Sequence, residues 1–158
     1  MTMLAENKKA FHNYEILETF EAGIALRGFE VKAVKAGRAN IAGTHVIVRE
    51  HGSPSRDAMA KHSAFLVGAD IPPYQPANTP SGYDPTASRR LLLTRKELAY
   101  LLGKMKSDRL TAVPLSFYTK GRLVKLKLAL VRGKRHYEKR EAIRKREVDR
   151  VIRRTLKN

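Results

Sequence analysis

Residues 110–131 read LTAVPLSFYTKGRLVKLKLALV, two apolar runs joined through Lys120 and Gly121. In the second run Val124, Leu126, Leu128 and Leu130 alternate with Lys125 and Lys127. Successive strand side chains point to opposite faces, so this period of two predicts a strand with one core face and one cationic face. The first run, 110–118, is its hairpin partner. Pro114 has no N–H to give to a ladder and predicts an edge or a bulge at that point.

Working outward from the hairpin, Thr94 opens the run TRKE, with Glu97 three residues on and Leu98, Leu101, Leu102 and Met105 at helical spacing behind it. A hydroxyl capping an orphan amide while the glutamate reaches back is a capping box, and it predicts a helix from Arg95. Five of the seven prolines, Pro72, Pro73, Pro76, Pro80 and Pro85, crowd the preceding stretch, so 68–88 is a long loop. Before it, THVIVRE at 44–50 and AFLV at 64–67 predict two paired strands. YEILETF at 14–20 predicts a strand, and GIALRGFEVKAV from Gly23 a short helix despite Gly28. Residues 1–8 show no periodicity and read as a loose start. Five strands, two short helices and a long loop predict a mainly β fold, a small OB-like barrel.

The chain has 158 residues and 42% hydrophobic content, which suits one core with an appendage. Thirty-two Lys and Arg against 15 Asp and Glu give a net charge of +17. Such an excess points to a polyanion, because each neutralised phosphate releases condensed counterions. An acidic membrane surface is the rival, yet no apolar run reaches the ~18 residues of a spanning helix. With no leader-like segment and no Cys, a cytoplasmic protein is expected. Absence of Cys also removes thiolate chemistry and Cys-ligated zinc. His12, His45, His51, His62 and His136 lie in no metal-ligand spacing, so neither metal nor cofactor is expected. No nucleotide-loop, nucleophile-elbow or zinc-protease motif occurs.

Composition changes after Val131. Residues 132–158 carry 12 Lys or Arg against 4 Asp or Glu, with apolar residues reduced to Ile143, Val148, Val151, Ile152 and Leu156. That is too little to bury, and the expectation is a barrel over 1–131 followed by a basic tail over 132–158, disordered when free and helical on RNA. Within the barrel, Arg89 and Arg90 sit between the proline loop and the capped helix, where they either meet phosphate or are merely solvated. Lys125 and Lys127 make a basic stripe. His12 with Tyr14 is either a stacking surface for an unpaired base or an exposed His beside a core Tyr. Glu18 and Glu21 read as solvated strand carboxylates before they read as an acid and base.

NKKAFHNYEI from Asn7, FEAGIALRGFEVK from Phe20, GRANI from Gly37, DPTASRRLLL from Asp84, VPLSFY from Val113 and GKRHYEKR from Gly133 together resemble the small protein B family, the SsrA-binding proteins. The matches keep family order over 7–147. The resemblance implies an OB-like barrel that holds the tRNA-like domain of transfer-messenger RNA, and a tail that enters the empty messenger channel of a stalled ribosome for trans-translation. It implies contacts with small-subunit ribosomal RNA, elongation factor Tu in the delivery complex, and no bond-making by the protein. Carried over by position, it implies that His12, Glu21, Asn40, Leu91 and Lys125 belong to the transfer-messenger RNA face. It likewise implies that Gly133, Lys134, Arg135, Tyr137, Glu138, Lys139 and Arg140 meet the decoding centre. Ala33, Ala87 and Glu138 depart from the usual residues, and 51–63 reads as a longer loop than the family's turn. The competing readings are a constitutive ribosomal or general single-strand RNA-binding protein, and a small RNA-modifying enzyme using Glu21 and His12.

Overall fold

The computed structural model describes residues 1–50, 62–134 and 136–157, with the side chains of 136–139 and 142 left aside. Among the described residues there are seven strands: β1 (Thr2–Glu6), β2 (Tyr14–Ile24), β3 (His45–Glu50), β4 (His62–Val67), β5 (Arg89–Leu92), β6 (Thr111–Lys120) and β7 (Leu123–Gly133). The same residues hold four α-helices: α1 (Lys8–Asn13), α2 (Gly28–Lys35), α3 (Arg95–Ser107) and α4 (His136–Lys157). All pairings between strands are antiparallel, and β6–β3–β4–β5–β2–β7 closes on itself through the β6–β7 hairpin, while β1 adds to β6 from outside. Closure satisfies the edges of the six-stranded ring, as in a small OB-like barrel.

The hairpin reading of 110–131 holds, with Tyr118 opposite Lys125 and Phe117 opposite Leu126. Inside the barrel, Phe117, Leu126, Leu128, Leu130, Val46 and Leu66 are almost fully buried, together with Val34 of α2 and Leu101 of α3. Burial of one such side chain stabilises the fold by about 1.5–3 kcal/mol. A second, smaller cluster lies on the outer side of the sheet, where Ala10 of α1 covers Val113, Leu115, Ala129 and Val131 beside Tyr14 and Ile16. The outer face of β7 is therefore apolar and covered at one end, and cationic and open at the other.

Pro114 marks a bulge rather than an edge: the β6–β7 register shifts between Pro114 and Ser116, and β6 is paired on both sides. β3 leaves β6 at Ala112 and β1 joins it at Ser116. Asn7 fills the gap between them, donating from Nδ2 to the Pro114 carbonyl at 2.9 Å and from its backbone to the Leu115 carbonyl at 2.8 Å. The missing proline N–H falls where no strand needs it. The same Asn7 caps α1 by accepting from Ala10 N.

Three expectations are corrected. The start of the chain is not loose, because β1 gains its partners from β6 more than a hundred residues away, which no local pattern signals. The helix expected from Gly23 begins at Gly28. Gly23 and Ile24 are held in β2 by Lys125, Leu92 and Leu91 across the ladder, and the backbone N–H of Arg27 donates to the Glu30 carboxylate to start α2. Residues 89–92 form a strand because they bridge β2 and β4. The basic tail carries the helix that its apolar spacing indicates: α4 spans 22 residues, roughly 33 Å at ~1.5 Å per residue. The capping box on α3 stands as expected, with Thr94 and Glu97 bonded reciprocally. The loop over 68–88 contains one short 3-10 turn, Pro76–Asn78. Most of the segment read as an inserted loop, 51–61, lies outside the described residues.

Candidate nucleic-acid interface

The open outer face is built from cross-strand neighbours, which ladder register places side by side. Tyr118 of β6, Lys125 of β7, Gly23 of β2 and Leu92 of β5 form one row; Ser116, Lys127 and Glu21 form the next. Met3 and Glu6 of β1 extend the two rows beyond Tyr118 and Ser116. No salt bridge holds Lys125 or Lys127 among the described residues. At Gly23 an added Cβ would come within 3.1 Å of Leu92 Cβ, so glycine lets β2 and β5 meet without displacing that side chain.

Glu21 is the one acidic side chain in these rows apart from Glu6, and both its oxygens are engaged. The Tyr118 hydroxyl donates to Oε2, and Lys120 Nζ donates to Oε1 at 3.1 Å. These two hydrogen bonds hold its carboxyl below the ordinary carboxylate value. Burial, and then the hydrogen bond to Glu21, push the Tyr118 phenol up to about 12, so it stays protonated and donating. Glu18, the other half of the sequence-level pair, accepts instead from the Tyr100 hydroxyl on α3. The two carboxylates serve different partners and do not form an acid–base couple.

Arg89 is corrected from its surface reading. It is 4% exposed, and its guanidinium donates to Glu30 Oε1, the Ala69 carbonyl and the Tyr83 hydroxyl. The arginine ties the proline loop to α2 and β5, and no part of it is available to a phosphate. Burial, and then the charge of Glu30, raise the Tyr83 phenol above its usual value. Arg90, its neighbour, is exposed on β5 opposite Phe65. The strand alternation that sends Arg89 inward also sends Leu91 inward, 3% exposed, whereas Leu92 is 55% exposed on the outer face beside Gly23. Leu91 thus shapes the face from beneath, and Leu92 is the leucine that a ligand on the face would touch. A single-residue step along a strand decides the matter, and the LLL run itself carries no signal for it.

The remaining positions lie elsewhere. His12 is half-buried in the last turn of α1, and Tyr14 packs into the outer apolar cluster. Asn40 bridges Asp70 through backbone bonds of 2.8 and 2.9 Å, and its Oδ1 accepts from Ala42 N. A groove lined by Asn13, Tyr14, Gly43, Thr44 and His45 runs between the helix that carries His12 and the turn that follows Asn40. This end of the barrel is roughly 30 Å along β2 from Gly23, at about 3.3 Å per strand residue, so the sequence-derived positions mark two ends of an extended surface. The root of the tail is at the His12 end: Gly133 pairs with Tyr14, and Lys134 donates to the Asn13 carbonyl from its backbone and to the Phe11 carbonyl from Nζ. Arg135 lies outside the described residues, as do the side chains of Tyr137, Glu138 and Lys139; Arg140 is exposed on α4. Val148, Val151, Ile152 and Leu156 are all at least half exposed along the same helix.

Among the described residues no cluster of three potential metal ligands occurs, and no helix is long and apolar enough to cross a membrane. The fold and the face together define an OB-like β-barrel protein with a cationic outer surface and a basic helical extension. The profile of the family described as SmpB protein matches residues 4–158. The SsrA-binding protein of Rubrobacter xylanophilus is 46% identical over 158 residues, 99% of this chain and 97% of that protein. The SsrA-binding protein of Mesoplasma florum is 44% identical over 94% of this chain and 92% of its own length. A chain in the structure described as "tmRNA-SmpB: a journey to the center of the bacterial ribosome" superposes with a TM-score of 0.62 at 40% identity, covering 89% of this chain and 94% of that one. The chain belongs to the SmpB protein family.

Proposed function

We propose that this protein is the transfer-messenger RNA adaptor of trans-translation: its barrel binds the tRNA-like domain of that RNA and its C-terminal segment serves the stalled ribosome. The observation that carries the reading is the cross-strand array of Tyr118, Lys125, Gly23, Leu92, Lys127 and Glu21 on a protein of net charge +17, supported by relatives named for binding SsrA and a neighbour seen with transfer-messenger RNA and the ribosome. Lysines supply the salt-dependent phosphate term, while the carboxylate, phenol and exposed leucine recognise bases and ribose. His12 and Asn40 extend the same contact from the far end of the barrel. The activity is binding and delivery, in the cytoplasm, with elongation factor Tu in the delivery complex.

The tail works separately. Helix α4 leaves the barrel beside α1 and exposes its apolar residues, so local helix formation rather than packing against the barrel holds it. It becomes fully ordered in the ribosome's empty messenger channel, with Gly133, Lys134, Arg135, Tyr137, Glu138, Lys139 and Arg140 at the decoding centre. A competition assay tests the first half: labelled tRNA-like domain displaced equally well by unrelated duplex RNA at physiological salt refutes it. Ending the chain at Gly133 tests the second; binding of transfer-messenger RNA survives and tagging on stalled ribosomes is lost. Co-sedimentation with every ribosome, stalled or translating, would instead mark a constitutive ribosomal protein.

A further inference from the structure

A groove runs beside the clamped carboxylate, lined by Met3, Phe20, Glu21, Ser116, Tyr118 and Lys127, with a volume near 420 Å³. This is room for one nucleobase, and on so basic a protein its lining includes an acceptor, Glu21, among mostly apolar and aromatic side chains. A carboxylate offers about four lone-pair positions and no donor. Tyr118 and Lys120 take one position on each oxygen, which leaves one on each oxygen for a ligand. Side-chain exposure of 40% keeps Glu21 reachable.

We propose that Glu21, held by Tyr118 and Lys120, makes this groove a subsite for a single unstacked guanine, whose N1–H and N2–H donors meet the two remaining acceptor positions of the carboxylate. The inference rests on the RNA-binding reading above and adds which base the open end of the face selects and which residues aim the selecting group. Two adjacent donors on one Watson–Crick edge are a property of guanine alone: adenine and cytosine each set one donor beside a ring-nitrogen acceptor, and uracil sets one donor between two carbonyls. An adjacent acceptor would face Glu21 and be repelled. Met3 and the Tyr118 ring, opposite one another in the β1–β6 ladder, offer an apolar thioether and an aromatic surface to the base. Lys127, across the ladder from Glu21, is within reach of the adjoining phosphate. Tyr118 is a positioning residue: its phenol stays protonated to beyond the pH of any binding measurement, and Glu21 stays ionised.

The test uses the full chain and four five-residue RNAs, U-U-X-U-U with X as G, inosine, A or U, titrated by NMR with the Tyr118 and Glu21 signals as the readout. Guanine binds about tenfold more tightly than adenine or uracil, as one bidentate base contact gives, and inosine, which keeps N1–H and lacks N2–H, falls between. Glu21→Gln replaces one acceptor oxygen by a donor and abolishes the preference. Tyr118→Phe weakens the preference while the slope of affinity against salt stays unchanged, a separation that a merely structural role for Tyr118 would not produce. Equal affinity for the four RNAs, or a guanine preference that persists in Glu21→Gln, overturns the subsite. If the subsite fails while the tRNA-like domain still outcompetes duplex RNA, the adaptor reading stands without it; if that selectivity is absent as well, the adaptor reading falls first.

Discussion

Replacing Arg89 by methionine keeps most of its stem and removes the charge from the least exposed ion pair among the described residues. Three groups lose a donor: Glu30 Oε1, bonded by Nε at 3.3 Å and Nη2 at 3.1 Å, the Ala69 carbonyl, bonded by Nη1 at 2.7 Å, and the Tyr83 hydroxyl, bonded by Nη2 at 3.0 Å. Glu30 is only 5% exposed, so water cannot readily replace the guanidinium. Breaking a buried pair from one side costs roughly 3–5 kcal/mol, a large share of a domain's whole stability. Removing both charges in Arg89→Met with Glu30→Leu costs less than Arg89→Met alone, because no uncompensated carboxylate is left. It still loses about 1 kcal/mol with the acceptor for Arg27 N at the start of α2. Urea denaturation of the four proteins in the cycle measures this directly. A loss below ~1 kcal/mol for Arg89→Met, or a double variant as unstable as the two singles added, refutes the assignment of Arg89 to architecture. The companion measurement is RNA affinity against salt under folding conditions: Arg90→Ala lowers the slope by about one, as loss of one phosphate contact does.

Four further outcomes rest on the same geometry. Tyr118 has a folded value raised to about 12 from an ordinary 10.0, so the stability tied to its protonated form is present below pH ~10 and is lost as pH climbs through about 12; tyrosine ring-carbon NMR shifts locate that titration, and Glu21→Gln brings it down. Glu21, whose value is lowered, acts in the opposite sense, with its contribution present above the ordinary carboxylate value and lost as pH falls through the depressed one. Thr94→Ala removes the acceptor for Glu97 N at the head of α3 and destabilises the protein by about 0.5–2 kcal/mol in urea. Ending the chain at Lys134, which keeps the bonds of that residue to Asn13 and Phe11, changes the urea stability of the barrel by less than ~0.5 kcal/mol, since the apolar residues of α4 are exposed, and removes much of the helical circular dichroism.

Where local period and local chemistry settle an element, the chain announces it. The alternation of Val124, Leu126 and Leu128 with Lys125 and Lys127, the Thr94–Glu97 box, the proline-broken loop and the helical spacing of Val148, Val151, Ile152 and Leu156 all read correctly from residues near one another. The charge alone points to a polyanion, and the ordered set of short motifs places the chain in its family. None of that could place β1, whose partners lie beyond residue 115, or β5, whose RRLL acquires strand geometry from β2 and β4. Nor could it separate Arg89 from Arg90, or Leu91 from Leu92, because identical neighbours in sequence become opposite faces only once the sheet has closed. The hydrogen bonds from Tyr118 and Lys120 to Glu21 belong to the same class of fact. Periodicity says that a residue has an inside and an outside. Which side is which, and what stands across from it, is fixed by long-range pairing, and that pairing turned scattered basic residues into a face with a single aimed carboxylate.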